Sequence, residues 1–225
     1  MNVLVTGCSK GIGENIVDEL LKKDVINKIY VTSRNINELN VNSPKVIKVE
    51  LDYLKTDWEY ALLKVVSENP INVLINNAGY LYNGSLKDTS YSEIDKMVTI
   101  NYTGPFKLVQ LLLENLKKGK AHIVNIGSMG GFQGSSKFPG LSLYSSTKAA
   151  LANLSECWAE ELREFDISSN CLALGAVDTE MLQCAFPGFK ANVSSSEIST
   201  IIVDFSLNYN RLVNGKIIPL SEGTP

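Results

Sequence analysis

One histidine, two tryptophans and four cysteines are all that this chain of 225 residues holds of those three types, and neither sign of charge is in large excess. Each shortage excludes something. His122 opens a strand-like run after Lys120 with no cysteine or carboxylate at metal-ligand spacing, so it reads as structural and no metal is expected. Cys8, Cys157, Cys171 and Cys184 show neither a paired framework nor metal spacing and read as reduced thiols of a cytoplasmic protein. Twenty-one basic residues against twenty-four acidic ones leave a net charge of −3 without any basic block, so no nucleic-acid partner is expected. No apolar stretch approaches the roughly 18 residues of a membrane span. The glycine-rich turn begins too close to Met1 for a signal peptide, so neither secretion nor a membrane partner is expected.

With 44% hydrophobic residues the chain can bury a sizeable core, and one domain spanning 1–225 is expected. Strand-like runs at Asn2–Val5, Lys28–Thr32, Val46–Glu50, Asn72–Ile75, Ala121–Ile126, Ser168–Ala173 and Lys216–Leu220 alternate with helical patterns. Those patterns lie near Ile12–Lys23, Thr56–Glu68, Ser90–Lys118, Leu143–Phe165 and Ser195–Leu207, while Asn35–Asn40 can form at most a short helix. Such alternation predicts an α/β fold: a parallel sheet with helices on both faces. No repeat, low-complexity tract or linker interrupts it. The loops Gly127–Ser142 and Gly175–Val193 follow strand carboxyl ends, where open α/β sheets bind ligands, and should wall a cleft.

Thr6-Gly7-Cys8-Ser9-Lys10-Gly11-Ile12-Gly13 stands between the first strand and a helix with apolar Ile16, Val17, Leu20 and Leu21. Gly7 permits the tight turn, Gly11 lets backbone approach a pyrophosphate, and Gly13 allows close packing of helix on strand. The helix start offers unpaired N–H groups to an anion. About 20 residues on, where an acidic residue would select NAD, the chain has Ser33-Arg34. A guanidinium there, with Lys10 as a second cation, favours a 2′-phosphate, so NADP(H) is expected over NAD(H).

Tyr144-Ser-Ser-Thr-Lys148 sets a phenol and an ammonium on one helix face. A tyrosine pKa of about 10 falls when a cation stands near; reaching about 7 needs roughly 4 kcal/mol of differential stabilisation. Ser128, at the end of a strand, can join the phenol in donating to one carbonyl oxygen. Asn101 lies in a helical pattern four residues before Pro105, which has no N–H, so the Asn101 carbonyl lacks its usual helical donor.

Together Thr6-Gly7-x-x-x-Gly11-Ile12-Gly13, Asn76-Asn77-Ala78-Gly79, Asn101, Ser128 and Tyr144-x-x-x-Lys148 resemble the short-chain dehydrogenase/reductase family, over essentially Met1 to Leu220. The resemblance implies a Rossmann-type doubly wound sheet in a single domain, with catalysis and cofactor sharing one open cleft. It implies Asn101, Ser128, Tyr144 and Lys148 as catalytic. Tyr144 would carry the proton, Lys148 would also hold the nicotinamide ribose, and the Asn101 carbonyl would hold a water linking Lys148 to solvent. The cofactor residues implied are Gly7, Ser9, Lys10, Gly11, Ile12, Gly13, Ser33, Arg34, Asp52 facing the adenine amino group, Asn77, Ala78 and Gly79 along the ribose, Tyr144, Lys148, and Gly175, Val177 and Thr179 near the carboxamide.

Three departures stand out. Ser128 and Tyr144 are 16 residues apart, about three more than usual for the family, Leu174 replaces a proline before Gly175, and little chain follows the last strand. Met181, Phe186 and Phe189, facing Phe132 and Phe138, suit a small carbonyl or alcohol substrate with apolar parts, although they can equally pack the loops. Trp58 and Trp158 read as packing residues. A homodimer or homotetramer is expected, because Phe106, Leu108, Leu111 and Leu112, and Leu151, Leu154, Trp158 and Leu162, cover more than one helix face. A non-catalytic dinucleotide-binding regulator is the alternative; it would not need Ser128, Tyr144 and Lys148 together.

Overall fold

A computed structural model describes residues 1–222; positions 223–225 of the expected domain lie outside the described residues. Seven strands form one parallel sheet: β1 (Asn2–Val5), β2 (Lys28–Ser33), β3 (Val46–Glu50), β4 (Val73–Asn76), β5 (His122–Ser128), β6 (Ser168–Leu174) and β9 (Ile217–Leu220), in the order β3-β2-β1-β4-β5-β6-β9. A separate parallel pair joins β7 (Val177–Asp178) to β8 (Val193–Ser194). Successive side chains on a strand point to opposite faces, and the chain buries both. Val3, Val5, Ile29, Val31, Val73 and Ile75 pack with Ile16 and Leu20 of α1 (Gly11–Leu21) and Ile198 and Ile202 of α8 (Ser195–Asn208). Leu4, Tyr30, Leu74 and Ile123 pack on the other face, against α2 (Trp58–Val66), α4 (Gly104–Leu111) and α6 (Ser142–Glu161). The strand order turns back between β1 and β4, so the glycine turn after β1 opens at the switch point where such sheets bind ligands.

The long helix expected over Ser90–Lys118 is divided. It runs as α3 (Tyr91–Val98), a π-helical turn over Thr99–Thr103, α4, and α5 (Leu113–Gly119). Pro105 removes a donor, and the chain widens: the Gly104 N–H reaches the Thr99 carbonyl, five residues back. The pattern expected over Leu143–Phe165 ends at Glu161 and continues as a 3-10 turn, Arg163–Phe165. The helix expected over Thr56–Glu68 stops at Val66 because Ser67 takes a φ of 50°. Asn35–Asn40 holds one 3-10 turn, Ile36–Glu38. Within the Gly175–Val193 loop lie β7 and α7 (Glu180–Ala185), which periodicity did not reveal.

Both tryptophans are packing residues, each about 4% exposed. The apolar residues taken as a second helix face mostly turn inward: Leu108, Leu112, Leu151, Leu154, Trp158 and Leu162 are buried in the chain's own core, and Phe106 alone of the set is exposed, tilted against Trp158. They therefore lend no support to an oligomer. All four cysteines are free.

Candidate active site

The glycine turn is held tightly from below. Gly7 and Gly11 adopt φ of 71° and 63°, which side chains disfavour. A β-carbon on Gly13 would stand 2.0 Å from the Gly7 oxygen, and one on Gly7 would meet Ala78 at 2.8 Å. Asn77 Nδ2 donates to the Thr6 and Gly7 carbonyls, and the Asn77 and Ala78 N–H groups both donate to Thr6 Oγ1. Asn77 and Ala78 thus lock the loop after β4 onto the turn. The start of α1 has no side-chain cap, whereas Ser90, Thr179 and Ser194 cap α3, α7 and α8. Uncapped first-turn N–H groups behind Ser9 and Lys10, with glycines where a side chain would intrude, fit a dinucleotide pyrophosphate.

The groove has a second wall. Gly175 donates its N–H to the Leu220 carbonyl, Val177 pairs with Val193, and Thr179 caps α7 through Leu182 N. A β-carbon on Gly11 would meet the Thr179 methyl at 3.6 Å, so the wall stands against the turn. Lys10 forms an ion pair with Glu180. Ser33 is buried and accepts the Asn35 N–H, Arg34 is exposed, and Asp52 accepts the Leu54 N–H in a local turn. No side-chain hydrogen bond or ion pair joins Arg34 or Asp52 to the rest of the set among the described residues.

Ser128 and Tyr144 approach each other at the carboxyl end of β5. The Ser128 hydroxyl accepts the Gly130 N–H, the local bond a glycine-rich turn allows, and it also faces the Tyr144 phenol. Lys148 is 4% exposed; its ammonium donates to the Ile126 carbonyl at 2.8 Å and stands 5.9 Å from the Tyr144 ring centre. Burial pushes the phenol up to about 12, the Ser128 hydroxyl pulling the other way. Burial brings the Lys148 ammonium down to about 8. The acidification of Tyr144 by Lys148 expected from their spacing is not present in this arrangement. The ammonium is turned to a backbone carbonyl, and desolvation disfavours both charged forms.

Asn101 is fully buried, and its side chain is spent on structure. Oδ1 accepts the Tyr80 N–H at 2.8 Å, and Nδ2 donates to the Tyr80 carbonyl at 2.8 Å and to Thr147 Oγ1 at 3.1 Å. A β-carbon on Gly79 would lie 3.5 Å from Lys148 Nζ and 3.6 Å from Asn101 Oδ1, which places the three at one point. Sequence reasoning missed Thr147, which passes the clamp on to the Tyr144 carbonyl. It also missed Asn83, whose Nδ2 donates to the Ala185 carbonyl while neighbouring Gly84 donates to Gly140. Those bonds tie three rim loops together; no local pattern in the sequence marks Asn83. Phe138, Met181 and Phe189 stand exposed on that rim.

A parallel sheet in this order with a glycine turn at its switch point defines a Rossmann-type fold. The chain belongs to the short chain dehydrogenase family, whose model matches residues 1–188. An uncharacterized oxidoreductase of Staphylococcus epidermidis is 27% identical over 208 residues, covering 89% of this chain and 88% of that protein. Among solved structures, ElxO with NADP bound superposes with a TM-score of 0.84 at 27% identity, over 99% of this chain and 98% of that one. The 3-ketoacyl-(acyl-carrier-protein) reductase from Brucella melitensis, complexed with NADH, shares the fold at a TM-score of 0.89 and 20% identity, over 99% and 97%.

Proposed function

We propose that this oxidoreductase prefers NADP(H) and transfers a hydride between nicotinamide and a small, partly apolar carbonyl or alcohol, with Tyr144 as general acid and base. The meeting of Ser128, Tyr144 and Lys148 beside the uncapped glycine turn carries this proposal. A bound nicotinamide supplies the hydride chemistry. The protein's part is to orient and to move a proton. Ser128 and Tyr144 hydroxyls would both donate to the substrate oxygen, polarising it. A phenol pushed up to about 12 is fully protonated at neutral pH and so stands ready as the donor for carbonyl reduction. Lys148 would hold ribose hydroxyls, and the Asn101 carbonyl, deprived of its α-helical donor by Pro105, would hold the water that returns the proton.

Arg34 and Lys10 support the 2′-phosphate preference, because both leave the carboxyl ends of neighbouring strands β1 and β2. Exposed Phe138, Met181 and Phe189 support a substrate with apolar parts. The reading of the four cysteines as reduced thiols supports a cytoplasmic protein, and the family resemblance alone supports a homodimer or homotetramer, which light scattering tests. Screening NADPH oxidation against ketones, aldehydes and quinones should find a substrate. Tyr144→Phe should then cut turnover about 10²–10⁴-fold, and near wild-type turnover by that variant would reject the mechanism. A fluorescence titration in which NADH binds as tightly as NADPH would reject the cofactor preference.

A further inference from the structure

The two cations assigned to the 2′-phosphate are not equivalent. Arg34 is exposed and pairs with no carboxylate among the described residues, whereas the Lys10 ammonium is already paired with Glu180, both side chains being 66% exposed. Glu180 does not reach Lys10 by chance of a floppy loop. It is the first residue of α7, whose cap, Thr179, stands where a β-carbon on Gly11, in the same turn as Lys10, would meet its methyl at 3.6 Å. The short β7–β8 pair anchors that segment on the far side. The carboxylate therefore stands at the rim of the glycine turn on a fixed backbone.

We infer that Glu180 is a specificity-determining residue that weakens the discrimination between NADPH and NADH. A 2′-phosphate must displace the carboxylate from Lys10 or accept it as a like-charged neighbour, whereas the pyrophosphate that both dinucleotides carry meets the pair equally in either case and cancels from the comparison. The inference rests on the NADP(H) preference proposed above. An exposed ion pair of this kind is worth little, so the effect should be about two- to fivefold in Kd. Because the pair is open to solvent, the effect should shrink as salt rises.

The test is a set of fluorescence titrations with NADPH and NADH on the wild type, Glu180→Gln, Lys10→Gln and the double variant, at low and at high ionic strength. Glu180→Gln should tighten NADPH about two- to fivefold more than it tightens NADH, and that difference should vanish when Lys10 is also glutamine. Equal changes for both nucleotides would overturn the inference. So would a gain for NADPH over NADH that persists without Lys10. Failure of the underlying preference is seen separately, as a wild type that binds NADH as tightly as NADPH.

Discussion

Acid should destabilise this protein through a buried histidine. His122 is 1% exposed at the start of β5, with Nδ1 3.0 Å from the Ser206 carbonyl and Nε2 2.9 Å from Asn170 Nδ2. The tautomer follows from Asn170. Its Oδ1 accepts the Lys216 N–H and its Nδ2 also donates to the Val213 carbonyl, so the amide cannot flip, and Nε2 must be the acceptor. A second proton on the ring would set donor against donor in a dry site beside Phe205. Burial accordingly lowers the histidine from 6.5 to about 4, the Ser206 carbonyl pulling weakly the other way. A folded value below the unfolded one means that the unfolded chain takes up the proton first. Stability present above about pH 6.5 is thus lost as pH falls towards 4, at up to about 1.4 kcal/mol per unit and about 3 kcal/mol in all. Urea unfolding of the wild type and His122→Gln at pH 7, 6, 5 and 4 should show the wild type losing that much more than the variant. Because the chain has one histidine, its ring proton resonance can be followed directly by NMR. Titration near 6.5 in the folded protein, or identical pH dependence of the two stabilities, would refute the reasoning.

Three further outcomes follow from the site. Gly13→Ala should abolish dinucleotide binding and lower stability by at least roughly 1–3 kcal/mol, since its β-carbon would meet the Gly7 oxygen at 2.0 Å; calorimetry and titration check both. Lys148→Met should lose turnover yet raise stability at pH 7 by roughly 1–3 kcal/mol, because burial depresses the ammonium to about 8. The wild type should also gain stability between about pH 8 and 10.5, where the unfolded chain still holds the proton, and the methionine variant should not; denaturation across that range decides it. Reduction rates should stay level through neutral pH while alcohol oxidation climbs with pH, since a phenol near 12 is a ready acid and a scarce base. A reduction rate that falls away between pH 6 and 8 would contradict that assignment.

The strands and the layering were legible because a strand buried on both faces leaves an apolar run that needs no partner to be seen. Val3-Leu4-Val5 supplies both cores at once. Helix ends were less legible, because they are set by backbone choices rather than by pattern. Ser67 ends α2 in a conformation that serine rarely adopts, stabilised by Asn115 Nδ2 on its carbonyl from 48 residues away. Likewise α7 is six residues long and is secured by its Thr179 cap and by Gln183, which donates to Asp178 and to the Phe189 carbonyl. A six-residue segment carries too few turns for periodicity to register.

At the site, the motif glycines and the Tyr144–Lys148 spacing could be read because each carries a chemical or steric demand of its own. The side-chain role of Asn101 could not be read. Pro105 raised an expectation about the Asn101 carbonyl, but nothing local announced where the side chain goes. In the fold it faces Tyr80, whose N–H and C=O match an amide's acceptor and donor as one strand matches another, and its remaining N–H takes Thr147. Thr147 in turn donates to the Tyr144 carbonyl, one turn from Lys148. Gly104 lets this turn close against the Tyr53 ring, where a β-carbon would stand 2.6 Å away. A glycine, a proline, an asparagine and a threonine thereby fix the spacing between the π-helical turn and the helix that bears both candidate catalytic groups. An aspartate in place of Asn101 would be nearly isosteric, yet it would turn acceptors on the Tyr80 carbonyl and so break the clamp that reaches Thr147, the residue before Lys148.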